Sequence, residues 1–205
     1  LTSHDLQTPC RKQAMLADTV LLTEENNLSP AGTKQLEKIK SQAISLRDLV
    51  NTFHLLATNQ AQKHSKETFN MNELANECLA KHSDEFSGAN VCVDWDCDIH
   101  AFKSIVRLLI ENAIKNALKH GNSPLNIRFY SEFVVGKRAF HIENSTDNDS
   151  ETNEDLFSPY RQSKHSSEGL GLGLNICSRA VACHNGDIWY EAGDGIFRLS
   201  FTLGS

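Results

Sequence analysis

The stretch Leu108–His120 reads LLIENAIKNALKH and predicts the central helix of the fold. The residues before it are also strongly apolar, so we expect the helix to begin near Ile99. A spacing of four puts Asn112 and Asn116 on one side of this helix. A buried carboxamide without hydrogen bonds costs about 1 to 3 kcal/mol, so both asparagines need partners.

Two kinds of partner remain open for these asparagines. Nearby backbone groups could satisfy them, as they satisfy most buried polar side chains. Alternatively they could bind Mg²⁺ and phosphate, because Mg²⁺ accepts carboxamide oxygens alongside waters and phosphate oxygens. The choice depends on the other motifs of the chain.

Alternating apolar residues around the central helix predict a sheet. Strands are predicted at Thr68–Asn70, Val91–Trp95, Leu125–Phe133, Arg138–Asn144, Asp187–Glu191 and Ile196–Leu203. The third and fourth form a hairpin across Gly136-Lys137. A helix capped by Asn72 is expected to end near Lys81, and another runs from about Gly173 to His184. Helices on one face of a largely antiparallel sheet form an α/β sandwich.

Two further helices precede this region and form a hairpin. The second, expected to start with Ser29 as N-cap and Pro30 at its first position, carries an apolar stripe over about three heptads. That stripe consists of Leu36, Ile39, Ala43, Leu46, Val50, Phe53 and Ala57, and the first helix presents Leu6, Cys10, Ala14, Ala17 and Leu21. One hairpin cannot bury both faces. We therefore expect a homodimer through residues 1–62, as a four-helix bundle.

The predicted domains are the hairpin at 1–62, a polar linker at 63–66 and the sandwich at 67–205. The fold class is thus α plus α/β. With 205 residues, a net charge of −6 and interspersed charges, the chain lacks the clustered basic residues of a nucleic-acid surface. Six cysteines without Cys-x-x-Cys pairing are expected mostly as buried hydrophobes in a reducing compartment.

A glycine-rich segment, Gly169–Cys177, reads GLGLGLNIC and predicts a phosphate site. Glycine lets the backbone approach phosphates closely, and the helix that follows offers its first amides to them. A flexible loop is the alternative for a glycine-rich turn alone.

The first residues place His4 beside Asp5, with Thr8 one helical turn later and Pro9 after it. A neutral imidazole is a competent nucleophile near neutral pH, and a neighbouring carboxylate can orient it or take its proton. Pro9 lacks an amide proton and is expected to loosen the helix after His4. Without a nucleotide site, His4 would be an ordinary exposed residue at a helix start.

Four segments together resemble the motifs of sensor histidine kinases, in the family's order and spacing. Residues 3–9, SHDLQTP, resemble the H box, commonly Ser-His-Glu-Leu-Arg-Thr-Pro; the central helix resembles the N box; residues 156–160, LFSPY, resemble the F box; and residues 169–177 resemble the G2 box. The resemblance covers nearly the whole chain. It implies a phosphoacceptor hairpin followed by a Bergerat-type ATP-binding domain.

The resemblance implies ATP and Mg²⁺ as cofactors, phosphorylation of His4, and transfer to an aspartate of a response-regulator receiver. Asp5 and Thr8 would assist catalysis, Thr8 at the position that supports dephosphorylation of the regulator. Asn112 and Asn116 would bind Mg²⁺. The nucleotide-binding positions would be Asn112, Asn116, Lys119, His120, Asn144, Gly169, Gly171, Leu172 and Gly173. The repeat in this helix also permits a second alignment with the N box, in which Leu108, Asn112 and Lys115 are the matching residues. Asn112 belongs to the site in either alignment.

Three positions depart from the family pattern. Asp5 replaces a glutamate and Gln7 an arginine in the H box. In the G1 box, usually Asp-x-Gly-x-Gly, Asn144 stands at the aspartate position and both glycines are absent. A carboxamide oxygen can still accept the adenine N–H, but losing the charge weakens that bond by about 1 kcal/mol, so we expect weakened ATP binding.

Two other functions remain as alternatives. One is a kinase-like dimeric docking module whose nucleotide pocket has decayed, and the other is an ATPase of the related gyrase and chaperone group. The abrupt start at a motif and the lack of a long apolar run predict a cytoplasmic fragment, with the membrane reached only through a sensor region outside this sequence.

Overall fold

The structure is a computed structural model that describes residues 3–24, 27–60, 65–86, 88–147, 156–158 and 172–204. Within these ranges it leaves out the side chains of residues 3–6, 45, 48, 49 and 51–60. The elements are α1 Ser3–Thr23, α2 Pro30–Gln60, β1 Glu67–Asn70, α3 Met71–Ala80, β2 Asn90–Asp94, β3 Asp98–Ala101, α4 Lys103–His120, β4 Asn126–Val134, β5 Lys137–Ser145, α5 Gly173–Ala182, β6 Ile188–Gly193 and β7 Ile196–Thr202.

Helices α1 and α2 pack against each other as the predicted hairpin. The hydroxyl of Ser29 accepts a hydrogen bond from the amide of Gly32 at 3.1 Å, and α2 begins at Pro30, so the predicted helix start is confirmed. Cys10, Ala17 and Ala43 are buried between the two helices. Their small side chains allow the helices to approach closely.

An open apolar groove of about 630 Å³ remains between α1 and α2. Its larger apolar side chains are those of Leu16, Val20, Leu36, Ile39 and Leu46. Ile39 and Leu46 of the apolar stripe are 49% and 41% exposed, and Leu16, which the stripe and the predicted face of α1 do not include, is 66% exposed. A single chain therefore leaves part of the stripe in water. This exposure agrees with the need for a partner, while the four-helix bundle itself stays a prediction.

Five strands form one sheet in the order β2-β4-β5-β7-β6. Only the β2–β4 pair is parallel, and the other neighbours are antiparallel, so the expected largely antiparallel sheet is confirmed. Helices α3, α4 and α5 share one hydrophobic core with the sheet. The α/β sandwich is therefore present as predicted.

Trp95, which follows β2, lies at the centre of this core and is fully buried. Its ring meets Phe129, Phe140 and Phe201 edge-on, with centroid separations of 5.0, 5.6 and 6.0 Å. Its indole nitrogen donates to the carbonyl of Tyr130 at 2.6 Å. The one polar atom of the indole is thus satisfied inside the core, as burial requires.

Two predictions about helix starts are wrong. Asn70, not Asn72, caps α3, because its side-chain oxygen accepts from the amides of Asn72 and Glu73. The oxygen of Asn72 accepts instead from the amide of Trp95 at 3.1 Å. The central helix begins at Lys103 rather than near Ile99, because residues Asp98–Ala101 form β3 and pair with β1 in a separate two-stranded sheet.

The predicted turn of the β4–β5 hairpin is shifted by one residue. Val134 pairs with Lys137, so the turn consists of Val135 and Gly136, both at positive φ. Positive φ at both turn residues is the type I′ geometry that fits the twist of the strands. Asparagine or glycine usually takes the first position, and a valine there carries no sequence signal for this turn.

The cysteines partly follow the prediction. Cys10, Cys78 and Cys177 are buried, whereas Cys92 is exposed and Cys97 and Cys183 are half-buried. Burial raises the pKa of Cys78 to about 11 and that of Cys177 to about 12, so both thiols stay protonated at neutral pH. They serve as small core side chains.

His184 joins the start of α4 to the end of α5. The amide of Phe102 donates to its Nε2 at 3.1 Å, and its Nδ1 donates to the carbonyl of Ala180 at 2.9 Å. An acceptor role for Nε2 requires the neutral imidazole. Burial accordingly lowers the pKa of His184.

We expect the sandwich to lose stability as the pH falls from 7.5 to 5.5. Burial is the first cause that lowers the pKa values of His120, His141 and His184 below 6.5. Below pH 6.5 the unfolded chain therefore binds more protons than the folded one, so the stabilisation present above 6.5 is progressively lost. The lowered pKa of Glu77 affects the free energy of unfolding only below about pH 4.5, outside this range. Urea denaturation at pH 7.5, 6.5 and 5.5 measures the effect.

The variant His184→Gln should show a smaller change of unfolding free energy over this range than the wild-type chain. Each group contributes at most about 1.4 kcal/mol per pH unit. A wild-type stability that stays constant or rises toward pH 5.5 would contradict this assignment of neutral buried histidines.

Candidate active site

The two asparagines of α4 lie at the edge of its buried face. Asn112 and Asn116 are half-buried, and Lys115 and Lys119 are exposed. The amide nitrogen of Asn112 donates to the carbonyl of Leu108 at 2.8 Å. A backbone carbonyl therefore satisfies this nitrogen, which is one of the two kinds of partner expected from the sequence. The side-chain oxygen of Asn112 remains as the atom that can bind a ligand.

The first residue of α5 lies against this oxygen. A Cβ atom built on Gly173 would come 4.0 Å from Oδ1 of Asn112, and apart from its own helix no other described atom lies closer. Leu172, just before the helix, is buried and anchors the turn. The first amides of α5 have no acceptor within the helix, so they are available to an anion next to Asn112. Gly169 and Gly171 lie outside the described residues.

Asn144 lies at the end of β5 and is only 5% exposed. Its Nδ2 donates to the carbonyl of Ser145 at 3.0 Å, which fixes the orientation of the carboxamide. Within the described ranges, the only buried side-chain N or O atom without a hydrogen-bond partner is Nε2 of His141. No described group donates to the oxygen of Asn144, and this oxygen is not among the buried unpartnered atoms, so it is accessible from outside the core.

A seam of hydrogen bonds fastens the end of α4 to the end of β5. The hydroxyl of Thr146, which is buried, donates to the carbonyl of His120 at 3.0 Å. The amide of Asn122 donates to the carbonyl of Ser145 at 3.3 Å, and its side chain donates to Asp147 at 3.0 Å. This seam holds Asn144 at a fixed position relative to α4.

Gly121 makes the seam possible. A Cβ atom at this position would lie 2.5 Å from the carbonyl oxygen of Ala117 and 2.2 Å from a methyl carbon of Leu125. No side chain larger than hydrogen fits between them. Sequence reasoning overlooked both Gly121 and Thr146, although a glycine directly after a long helix is a recognisable signal.

His120, the last residue of α4, is half-buried beside the seam. Burial, and then the neighbouring Lys119, lower the pKa of its imidazole. His120 is therefore neutral at neutral pH and can act as a hydrogen-bonding group toward a ligand, not as a charge. Lys119 is exposed one residue earlier and supplies a positive charge at the same end of the helix.

The predicted phosphoacceptor segment belongs to another part of the fold. His4, Asp5 and Thr8 lie on α1, whereas the nucleotide positions lie on α4, β5 and α5. Thr8 is half-buried, and the side chains of His4 and Asp5 are outside the described set. Pro9 stands inside α1, and the helix continues past it to Thr23. Arg161 and Lys164, two basic residues between the segments that resemble the F box and the G2 box, lie outside the described residues.

Comparison with known proteins decides the family. Residues 98–204, which include α4, β5 and α5, match the family model described as histidine kinase-, DNA gyrase B- and HSP90-like ATPase. The chain belongs to this family. The matched residues include every predicted nucleotide-binding position that the structure describes.

Similar curated proteins are sensor kinases. The chain is 28% identical to sensor histidine kinase CpxA of Klebsiella pneumoniae over 98% of its own length and 45% of that protein. It is 22% identical to adaptive-response sensory kinase SasA of Synechocystis, over 94% of the chain and 54% of that protein. The chain thus spans about half the length of these relatives. The predicted histidine kinase ATP-binding core is confirmed.

Solved structures show the same fold. The catalytic domain of histidine kinase ThkA, 24% identical, matches 68% of the chain and 95% of its own length with a TM-score of 0.60. Acinetobacter baumannii histidine kinase AdeS, 17% identical, matches 95% of both chains with a TM-score of 0.67. The second match extends over both the helical hairpin and the sandwich.

Among the helices in the described ranges, none combines the length and apolar character that a membrane span requires. Nor do the described His, Cys, Asp and Glu residues form a group of three that could hold a metal ion.

Proposed function

We propose that the chain is the catalytic core of a two-component sensor histidine kinase. It would use Mg-ATP to phosphorylate His4 and pass the phosphoryl group to an aspartate of a response-regulator receiver. Thr8 would support dephosphorylation of the regulator as a second activity. The proposal includes three parts: the dimerisation and phosphoacceptor hairpin at 1–62, the linker at 63–66 and the ATP-binding domain at 67–205.

The observation that carries the proposal is the convergence of three separate segments on one site. The oxygen of Asn112 faces the first residue of α5, and the seam from His120 to Thr146 fixes Asn144 at the end of the same helix. In this proposal, α4, α5 and β5 would supply the metal-binding, phosphate-binding and base-binding groups, respectively. An unrelated fold would not need these three groups together.

The geometry of Asn144 favours adenine. Because its nitrogen is committed to Ser145, the group left for a ligand is the oxygen, which accepts hydrogen bonds. Adenine presents an amino group that donates, whereas guanine presents a carbonyl oxygen at that position. Asn144 therefore presents a hydrogen-bond acceptor to the base, as an aspartate would, but without the negative charge.

The donor set fits Mg²⁺ bound together with ATP phosphates. Oxygen ligands suit this ion, which typically takes few protein ligands and keeps waters and phosphate oxygens. Asn112 and Asn116 would hold it, and when bound it neutralises charge on the transferring phosphoryl group. Lys119 and the first amides of α5 would hold the phosphates, while Leu172 excludes water from the turn.

The transfer itself needs a nucleophile and a proton acceptor. A neutral nitrogen of His4 attacks the γ-phosphorus, the new N–P bond forms, and the bond to the oxygen of the departing ADP breaks. The proton on the imidazole is held or taken by Asp5. The receiver aspartate then accepts the phosphoryl group, and His4 returns to its neutral form.

We place this core in the cytoplasm, attached to a membrane only through a sensor region outside the sequence. The dimer proposal rests on the exposed groove between α1 and α2, which a second hairpin would cover. Neither proposal involves nucleic acid, in keeping with the negative net charge and interspersed charges.

Incubation with γ-labelled ATP and Mg²⁺ should label the wild-type chain in an acid-labile form, because a phosphohistidine hydrolyses in acid. The variant His4→Gln should carry no label, since it lacks the nucleophile. Adding a receiver domain should move the label to the receiver.

Released phosphate that does not depend on His4 would identify an ATPase instead of a kinase. Absence of label in both proteins, with binding of a receiver retained, would identify a docking module. Either result contradicts the proposed function. His54→Gln, on α2, is the matched control and should leave the label unchanged.

The variant Asn144→Asp should bind Mg-ATP about fivefold more tightly than the wild-type chain. A charged acceptor strengthens the hydrogen bond to the adenine amino group by about 1 kcal/mol. Calorimetric titration measures the change, and GTP serves as the control ligand. Submicromolar binding of ATP by the wild-type chain would contradict a weakened adenine contact.

Sedimentation velocity of the wild-type chain at micromolar concentration should show a dimer. Replacing Leu16 and Ile39 by glutamate puts charge into the groove and should give a monomer with unchanged sandwich stability, because both residues lie in the hairpin. A wild-type monomer would refute the proposed bundle. Phe133→Glu, an equally exposed apolar residue of β4, is the control and should leave the dimer intact.

A further inference from the structure

One buried imidazole connects α4 and α5 at the opposite end of the pair from Gly173. His184 follows α5 and is only 2% exposed. Its Nε2 accepts from the amide of Phe102, the N-cap residue of α4, and its Nδ1 donates to the carbonyl of Ala180 within α5. Both ring nitrogens are therefore used, and each one holds a different helix.

Helices α4 and α5 run in opposite directions and meet at two further points. The thiol of Cys177 donates weakly to the carbonyl of Leu109 at 3.6 Å, and Gly173 faces Oδ1 of Asn112 at the nucleotide site. The sequence distance is seven residues from Phe102 to Leu109 and seven from Cys177 to His184. Equal steps on antiparallel helices define one register of the pair.

The histidine makes the stronger polar contact that holds this register. A thiol is a weak hydrogen-bond donor, whereas the contact between the Phe102 amide and the imidazole is an ordinary hydrogen bond in a buried place. If α4 moved along α5, the gap between Asn112 and Gly173 would change. Groups that bind a ligand together have to be held within about 0.5 Å of their productive positions, so this gap governs contact with the phosphates.

The contact between His184 and Phe102 exists only with a neutral ring. Nε2 accepts the amide proton through its lone pair, and a second proton on the ring occupies that lone pair. The protonated ring would then point one N–H group at another N–H group. Protonation therefore breaks the connection to α4, while the bond from Nδ1 to Ala180 remains.

The surroundings of the ring favour its neutral form. Burial lowers the pKa of His184, the carbonyl of Ala180 raises it, and the positive charge of Lys66, just before β1, lowers it. The other charged residues next to this place on the adjoining elements are Glu67 of β1, Lys103 of α4, Arg179 of α5 and Asp187, which lies 3.4 Å from Nζ of Lys137.

We propose that His184 is a positioning residue for Mg-ATP binding, which holds the register of α4 and α5 while its ring is neutral and releases it when the ring is protonated. This inference rests on the proposed function of the site. Because the neutral form is the one that binds nucleotide, ATP affinity should fall as the pH drops below 6.5 and this ring takes up its proton.

The test compares the wild-type chain with His184→Gln and His141→Gln. Glutamine does not titrate, and its side-chain oxygen can still accept from the Phe102 amide. His141 is the matched control, because it is a second buried histidine whose pKa is lowered by burial. It lies on β5, with Nδ1 2.9 Å from the hydroxyl of Ser200, and touches neither helix through these atoms.

Calorimetric titration with Mg-ATP at pH 7.5 and 5.5 measures the Kd of each chain. Lower pH also protonates the nucleotide, but that effect is the same for all three chains. We expect the Kd of the wild-type chain and of His141→Gln to rise about threefold more than that of His184→Gln, which corresponds to the loss of one neutral hydrogen bond.

A purely structural role would change the pH dependence of unfolding in both variants and leave all three Kd profiles parallel. Parallel Kd profiles would therefore overturn the proposal. A flatter profile for His141→Gln than for His184→Gln would overturn it as well, because the pH dependence would then come from the sheet.

NMR titration without nucleotide gives a second readout. In the wild-type chain, the backbone amide signals of Phe102 and Gly173 should shift with the same midpoint as the imidazole of His184. In His184→Gln, this transition should be absent at Gly173. If the wild-type chain binds no ATP, the proposed function fails, while this titration still tests the register. A Gly173 signal that does not follow His184 would overturn the proposal.

Discussion

The site depends above all on how α4 is buried. Its apolar residues Ile105, Val106, Leu109, Ile110, Ala113, Ile114 and Ala117 all face the core. Burying a large aliphatic side chain contributes roughly 1.5 to 3 kcal/mol to stability. Turning the helix by one residue would expose several of these side chains and would lower the free energy of unfolding by several times that amount. The rotation of α4 is therefore fixed, and with it the edge on which Asn112 and Asn116 lie.

Hydrogen bonds at both ends fix α4 along its axis as well. At its start, the amide of Phe102 is held by His184 from the end of α5. At its end, Thr146 and the tight fit of Gly121 bind the helix to β5. Because α5 and β5 carry Gly173 and Asn144, the two attachments set the distances among the three groups proposed to bind nucleotide. The hydrogen bonds at the two ends of α4 thus position the proposed nucleotide-binding groups through this helix.

Much of this arrangement follows from local sequence, and the parts that do not have physical reasons. Repeating apolar patterns identified α2, the β4–β5 hairpin and the central helix, since burial on one face leaves a periodic trace. The boundary at Lys103 was missed because the apolar run through Ile99 suits a strand as well as a helix, and only pairing with β1 decides between them. Asn70 and Asn72 are equally good candidates for the N-cap in sequence. Asn70 caps the helix because the side-chain oxygen of Asn72 accepts a hydrogen bond from the amide of Trp95 instead. The hydrogen bonds from Thr146 to the carbonyl of His120 and from Asn175 to the carbonyl of Phe157 join segments that are distant in sequence, so no local pattern reveals them.

Hydrogen–deuterium exchange with and without Mg-bound non-hydrolysable ATP tests most directly whether α4, β5 and α5 form one nucleotide site. The account predicts slower exchange in three peptides together: the second half of α4 around Asn112–His120, the end of β5 at Asn144–Asp147, and the first turn of α5 at Leu172–Ile176. The hairpin turn at Phe133–Gly136, at the opposite end of the sheet, should not change. Protection confined to one of the three segments, or centred on that turn, would contradict the claim.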